Sequence, residues 1–423
     1  MKKILMALAL LPLLAAGQTL EECQQAAERN YPLIRQYDLI ERTTDLTVAN
    51  IGKAWLPQVS ATAQATLQSD VMSWPDQMQT MLGQMGLDLK GLKKDQYRVG
   101  VDVNQTVFDG GRIRGQQAVA RQQGEVQAAQ TEVNLYAVRQ RVNEMYFALL
   151  LLDDQIKLNN DLQELLSASE SKLASMYKRG TAAESDYNNV KAERLNASQQ
   201  LTALQSQRKA LAAMLGAFCG LEIDQVQKPE LPAGDIARQE NRRPELRLID
   251  SQLRLADAQE RLLDAALLPQ LSVFAQGYYG YPGYNMFEDM ISHEWSLNGM
   301  IGARLTWNIG ALYTRHNDKA KLQLQRQGAE NSRDVFLYNN HLDQVKYNEE
   351  IGRYRSLMAA DEEIIALRGK VRKAAESKLA HGIIDVNDLV KEINSENAAL
   401  VQRSIHEIEL LKSVYNLKYS TNN

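Results

Sequence analysis

Nine prolines occur in the 423-residue chain, and none of them falls within residues 76–228 or 283–423. Proline removes a backbone donor and clashes with the preceding helical turn, so it gathers in loops and is expelled from helix interiors. Stretches this long without one exclude a string of ordinary loop-punctuated domains and point to long helices. The apolar pattern agrees. Val138, Val142, Met145, Leu149, Leu152 and Ile156 recur at alternating steps of four and three, a heptad seam. At ~1.5 Å per residue, Gly110 to Lys178 spans about 100 Å, and the segments 22–54 and 182–216 about 50 Å each. Stacked end to end, the two shorter helices match the long one. Residues 310–380 stand in the same relation to 240–267 and 384–418.

That recurrence reflects an internal duplication. Residues 32–64 align with 244–276 at 12 of 33 positions, including Leu56-Pro57-Gln58 against Leu268-Pro269-Gln270. Further along, Phe108-Asp109-Gly110 pairs with Asn308-Ile309-Gly310, and Arg179-Gly180 with His381-Gly382. The expected organisation is a first repeat over 18–228, with a strand hairpin at 59–108 and a helical tip near 180. A second repeat covers 229–423, with a hairpin at 271–309 and a tip near 382.

After each Leu-Pro-Gln the period drops to two. Val59, Ala61, Ala63, Ala65 and Leu67 alternate with Ser60, Thr62, Gln64, Thr66 and Gln68. Tyr97, Val99, Val101 and Val103 alternate with Arg98, Gly100, Asp102 and Asn104, and the segments 271–276 and 297–308 behave alike. Strands of about ten residues with one apolar side suit a membrane β-barrel wall, though a soluble sheet with one buried face reads the same. Aromatics favour the wall: Trp55, Phe108, Trp307 and the group Tyr278, Tyr279 and Tyr281 fall near strand ends. Four strands cannot close a barrel, and an open edge in lipid leaves backbone groups unpaired. Several chains must then share one barrel.

Other function classes are poorly supported. Met1-Lys2-Lys3, the apolar run Ile4 to Leu14 and Ala15-Ala16-Gly17 read as a secretory signal peptide over 1–17. The remainder holds 46 basic against 52 acidic residues, an unpromising balance for nucleic acid. Five histidines never pair at helical spacing, so neither a metal nor a catalytic histidine site is expected, and no nucleophile elbow or cofactor fingerprint occurs. Asp109-Gly110-Gly111 at a strand-to-helix corner lacks the phosphate-loop spacing and reads as a helix cap. Met72, Met78, Met81 and Met85 cluster in the loop 69–96, where loose packing over the mouth is favoured over copper binding.

In this order, the residues resemble the TolC family of outer-membrane efflux proteins. The likeness is carried by Thr19-Leu20-Glu21-Glu22, Asn30-Tyr31-Pro32, both Leu-Pro-Gln segments and Val107-Phe108-Asp109-Gly110-Gly111-Arg112. Tyr177-Lys178-Arg179-Gly180 before Asp186, and His381-Gly382 before Asp388, complete it. The resemblance implies a mainly helical trimer with membrane β-strands. Four strands per protomer would enter a shared twelve-stranded outer-membrane barrel, and long coiled-coil helices would form a periplasmic tunnel. It implies contact with outer-membrane lipid, a periplasmic adaptor and an inner-membrane pump, with no cofactor.

By the same resemblance, Arg179, Gly180, Thr181, His381, Gly382 and Ile383 form the adaptor-contacting tip, and Asp186 and Asp388 ring the periplasmic aperture. The alternative is that both acids only cap their helices. A tyrosine and an arginine that latch the tip in relatives fall here at Leu379 and Ile384. Cys23 and Cys219 come to similar heights by helix length, which suggests a disulfide at the tunnel's waist. The resulting reading is a passive exit duct of a tripartite efflux system. Its rivals are a type I protein-secretion duct and an exported soluble coiled-coil protein.

Overall fold

The computed structural model describes residues 17–86, 91–231 and 240–422. The expected signal segment, apart from Gly17, lies outside these residues, as does part of the linker around Pro232. Two compact units interleave along the sequence. One gathers the chain up to Asp38 with 128–248 and 331–423, and the other gathers 39–127 with 249–330.

The second unit carries the strands. They are β1 (Gln58–Leu67), β2 (Asp95–Phe108), β3 (Gln270–Tyr281) and β4 (Ser296–Thr306). All pairings are antiparallel, in the order β1-β2-β3-β4, so the two sequence hairpins join through β2 and β3. Both hairpin loops contain a short helix that alternation could not reveal: α3 (Asp76–Gln84) and α7 (Met286–Ser292). The loops pack on each other around Leu92, Tyr281 and Met290, where the Tyr281 hydroxyl accepts from the Lys93 amide at 3.0 Å.

Helices supply the rest. They are α1 (Leu20–Asn30), α2 (Arg35–Gly52), α4 (Arg112–Lys178), α5 (Glu184–Cys219), α6 (Pro244–Ala265), α8 (Ala311–Ala380) and α9 (Val386–Thr421). The long α4 and α8 contain 67 and 70 residues, as the proline gaps required. Asp109 begins α4 by accepting from the Gly111 and Ile113 amides at 2.8 and 2.6 Å, so the corner is a cap. No helix among the described residues is long and apolar enough to cross a membrane.

One expectation needs correction. Residues 22–54 are not a single helix: α1 stops at Asn30, Tyr31 is extended (φ −66°, ψ 128°), and Pro32–Ile34 make a 3₁₀ turn before α2. Proline pushes its predecessor out of the helical region, and Tyr31 is extended there accordingly.

In the first unit the N-terminal segment is pinned. Leu20, Cys23 and Ala27 of α1 enter the core cluster that holds Val142, Tyr146 and Leu149 of α4 and Leu215 of α5. The Asn30 amide donates to the Ala217 and Phe218 carbonyls, which lie among the orphan acceptors at the end of α5.

Candidate functional site

The register of the sheet decides what its faces present. Val59 opposes Val103, which opposes Ala275, which opposes Ile301; Ala63, Val99, Tyr279 and Leu297 form a second row. One apolar face thus runs across all four strands, and it is exposed: Leu67, Leu297 and Ile301 are each more than four-fifths accessible. The other face carries Ser60, Asp102 and Gln276 in one row and Gln64 beside Arg98 in another. Asp102 accepts from the Gln276 amide at 2.5 Å.

Aromatic residues bracket the apolar face. Tyr97 and Tyr279 pack on Trp295 at one end, while Trp55, Phe108 and Trp307 lie at the other, half exposed. At ~3.3 Å per residue, Tyr97 and Phe108 are about 36 Å apart along β2. Tilted by ~40°, that is roughly 28 Å of height, close to the ~25 Å apolar band of outer-membrane barrels. Tyr278 differs from the expectation, because it points to the polar face and donates to the Pro282 carbonyl at 3.2 Å.

In the first unit the two helix turns are built alike. Gly180 (φ 73°) lets the Thr181 amide donate back to the Met176 carbonyl at 2.9 Å, and Gly382 (φ 68°) lets Ile383 donate to Lys378 at 2.9 Å. This left-handed closure of a helix end is strained for any residue with a Cβ. Arg179 donates through Nε to the Ser175 carbonyl at 3.1 Å, and His381 Nδ1 lies 2.8 Å from the Ser377 carbonyl. Leu379 and Ile384 pack on the apolar cluster that joins α4, α5, α8 and α9, where relatives by resemblance carry a polar latch. Beside them, a groove of about 220 Å³ opens between α4 and α8, lined by Leu173, Met176, Leu379 and Leu389 with Lys172 and Glu376 at its edge.

Asp186 and Asp388 occupy the same helical position but different chemistry. Asp186 accepts from the Ala183 amide at 3.3 Å, closing the start of α5 because alanine cannot cap it. In α9 the cap is Asp385, which accepts from the Asp388 amide at 2.9 Å, and Asp388 is exposed. Between the two turns, Asn189 and Asn387 hydrogen-bond through their side chains, and Asn394 donates to Glu193 at 2.7 Å.

Sequence reading missed one pair of contacts. Glu170 on α4 binds Arg194 on α5 at 2.5 Å, and at the equivalent positions Arg372 on α8 binds Glu396 on α9. The duplication placed an ion pair at the same site twice, with its polarity reversed. Comparing charges at the tip offset of 202 would have found it. Cys23 and Cys219 are brought together in the core as free thiols. Met72, Met78, Met81 and Met85 are all exposed in the first hairpin loop. Among the described residues, no group of three or more His, Cys, Asp or Glu residues could hold a metal.

Residues 23–220 match the family described as outer membrane efflux protein. They belong to it. No curated protein matches the chain. Among solved structures, the outer membrane protein VceC of Vibrio cholerae aligns with a TM-score of 0.68 at 12% identity, covering 96% of each chain. The outer-membrane channel OprN aligns at 0.67 and 15%, covering 95% of this chain and 89% of its own. The open-state MtrE outer membrane channel of Neisseria gonorrhoeae aligns at 0.64 and 14%, covering 96% and 89%. The fold is therefore that of TolC-like channels over nearly the whole chain. The family match over residues 23–220 and the folds of these channels both support an outer-membrane efflux duct.

Proposed function

We propose that the chain is one third of a homotrimeric exit duct that a periplasmic adaptor couples to an inner-membrane pump. The observation that carries this reading is the exposed apolar face across a four-stranded sheet whose outer strands, β1 and β4, each pair on one side only. Lipid tolerates no unpaired strand edge, and a barrel around a lumen needs about eight strands or more, so copies must complete it. Three copies give twelve strands. The same face argues against an exported soluble protein, because apolar patches this size do not stay exposed to water. Protein extracted from outer membranes should migrate as a trimer in mild detergent and as a monomer after boiling; aqueous monomer would overturn the reading.

The two tip turns, with exposed Tyr177 and Ile383 and the apolar groove beside them, fit docking of a partner's helical hairpin. Single cysteines at Thr181 and Ile383 should then cross-link to the adaptor in cells, and labelling of the pump alone would refute that assignment. Asp388, its carboxylate not used by the backbone, suits the aperture, where three converging acids would bind cations and resist closure.

A further inference from the structure

Cys23 and Cys219 are the chain's two cysteines, and they meet in one buried cluster. The Cys219 thiol donates to the Cys23 carbonyl oxygen at 3.4 Å, and each thiol shifts the pKa of the other. The surrounding contacts do not depend on a bond between them. Asn30 holds the last carbonyls of α5, the Tyr31 ring packs on Phe218 at 5.6 Å, and Gln18 forms a parallel bridge to Val226. The fold therefore presents two thiols to each other from segments almost half the chain apart.

We propose that Cys23 and Cys219 are a modification site, joined after export into an intramolecular disulfide by exchange with a periplasmic protein that carries a reactive disulfide. One thiol, as thiolate, attacks a sulfur of the oxidant, forming a mixed disulfide and releasing the oxidant's other sulfur as thiolate. The remaining thiolate then attacks the bound sulfur, closing the Cys23–Cys219 bond and freeing the second oxidant thiol. Two thiols of this chain lose two electrons and two protons, and the oxidant's disulfide gains them. Cys219 is suited to the opening attack: the neighbouring Cys23 thiol lowers its pKa, whereas the Cys219 thiol and burial raise that of Cys23, which then makes the closing attack. Burial also sets the timing. Exchange occurs while the cluster is still assembling, and the finished bond is shielded from reductants.

The bond would tether the N-terminal segment to the end of α5, about 50 Å of helix away from the Gly180 turn that lies within the loop it closes. Redox state should then change resistance to denaturation without changing conductance.

The test uses protein taken from outer membranes, denatured with a polyethylene-glycol maleimide, with and without prior reduction. The proposal expects no adduct before reduction, two after it, and an intact mass lower by two hydrogens before it. The single variants Cys23→Ser and Cys219→Ser should each show one reactive thiol in unreduced protein. Refolding reduced protein with oxidised glutathione should regenerate the bond, which does not require the cell's oxidant. Two adducts without reduction, disulfide-linked dimers, or refolded protein with both thiols free would each overturn it.

Discussion

Asp186 and Asp388 stand 202 residues apart at the same position in the first turns of α5 and α9, and only Asp186 commits its carboxylate to the backbone. The difference follows from the residue three places earlier. Ala183 offers no cap, so Asp186 folds back, while Asp385 caps α9 and releases Asp388. In planar bilayers, Asp388→Ala should raise single-channel conductance and weaken divalent-cation block. Asp186→Ala should leave block nearly unchanged and loosen the tip by about 1 kcal/mol, seen as faster amide exchange in the first turn of α5. Equal effects of the two variants on block would contradict the assignment.

Gly180 and Gly382 are required by their left-handed backbone, with nothing near where a Cβ would stand. Substitution by alanine should therefore cost backbone strain alone, about 1 kcal/mol at each turn. Melting of detergent-purified Gly180→Ala and Gly382→Ala protein checks this. A loss several times larger would mean that the turns bury more than the structure shows.

The reversed ion pairs invite a double-mutant cycle. Arg372→Glu places one acid against Glu396, takes the same cation from Glu376, and should destabilise by about 1 kcal/mol or somewhat more, given the partial burial of Arg372 and Glu396. Adding Glu396→Arg recreates the polarity of Glu170 and Arg194 and should restore most of the loss. No recovery in the double variant would show that the pair's orientation matters beyond its charge.

A ladder of charges joins α6 to α8. Arg326 binds Asp257 and Glu260 at 2.7 and 2.6 Å, and Lys319 reaches Glu260 and Asp264 at 3.3 and 3.1 Å. Hydrogen bonds from Arg326 and Lys319 hold Glu260 below the usual carboxylate range. Desolvation works to raise Asp264, but Lys319 and Arg315 outweigh it and hold that group low as well. A carboxylate depressed in the folded state contributes stability above its unfolded pKa and loses it as pH falls through the folded value. Acidification below the ordinary carboxylate range should thus lower amide protection in α6 relative to the intrinsic exchange rate at each pH, and Lys319→Met should reduce that acid sensitivity. Protection factors that are independent of pH in the wild type would dismiss the ladder as a stabilising element.

Much of this architecture was legible because its signals are long. Proline-free runs announced α4 and α8, and period-two alternation located all four strands. What escaped was short or depended on partners. The helices α3 and α7 extend for at most nine residues inside loops, too few for periodicity to register. The break at Tyr31-Pro32 was written in the sequence, but the amphipathic pattern on either side concealed it. The unequal roles of Asp186 and Asp388 turn on a single cap, alanine against aspartate, which repeat alignment treats as an ordinary mismatch. The ion-pair reversal appears only when α4 is seen beside α5 and α8 beside α9.

The central claim is that the β1 edge of one chain pairs with the β4 edge of another. In a background with Cys23 and Cys219 replaced by alanine, one cysteine at Ala61 on β1 and one at Ala303 on β4 should cross-link between chains. Reaction in isolated outer membranes, resolved on denaturing gels, should give bands of two and three linked chains when neighbouring positions on the two strands are scanned. Chains that stay unlinked at every position tested, while remaining folded, would contradict the shared barrel.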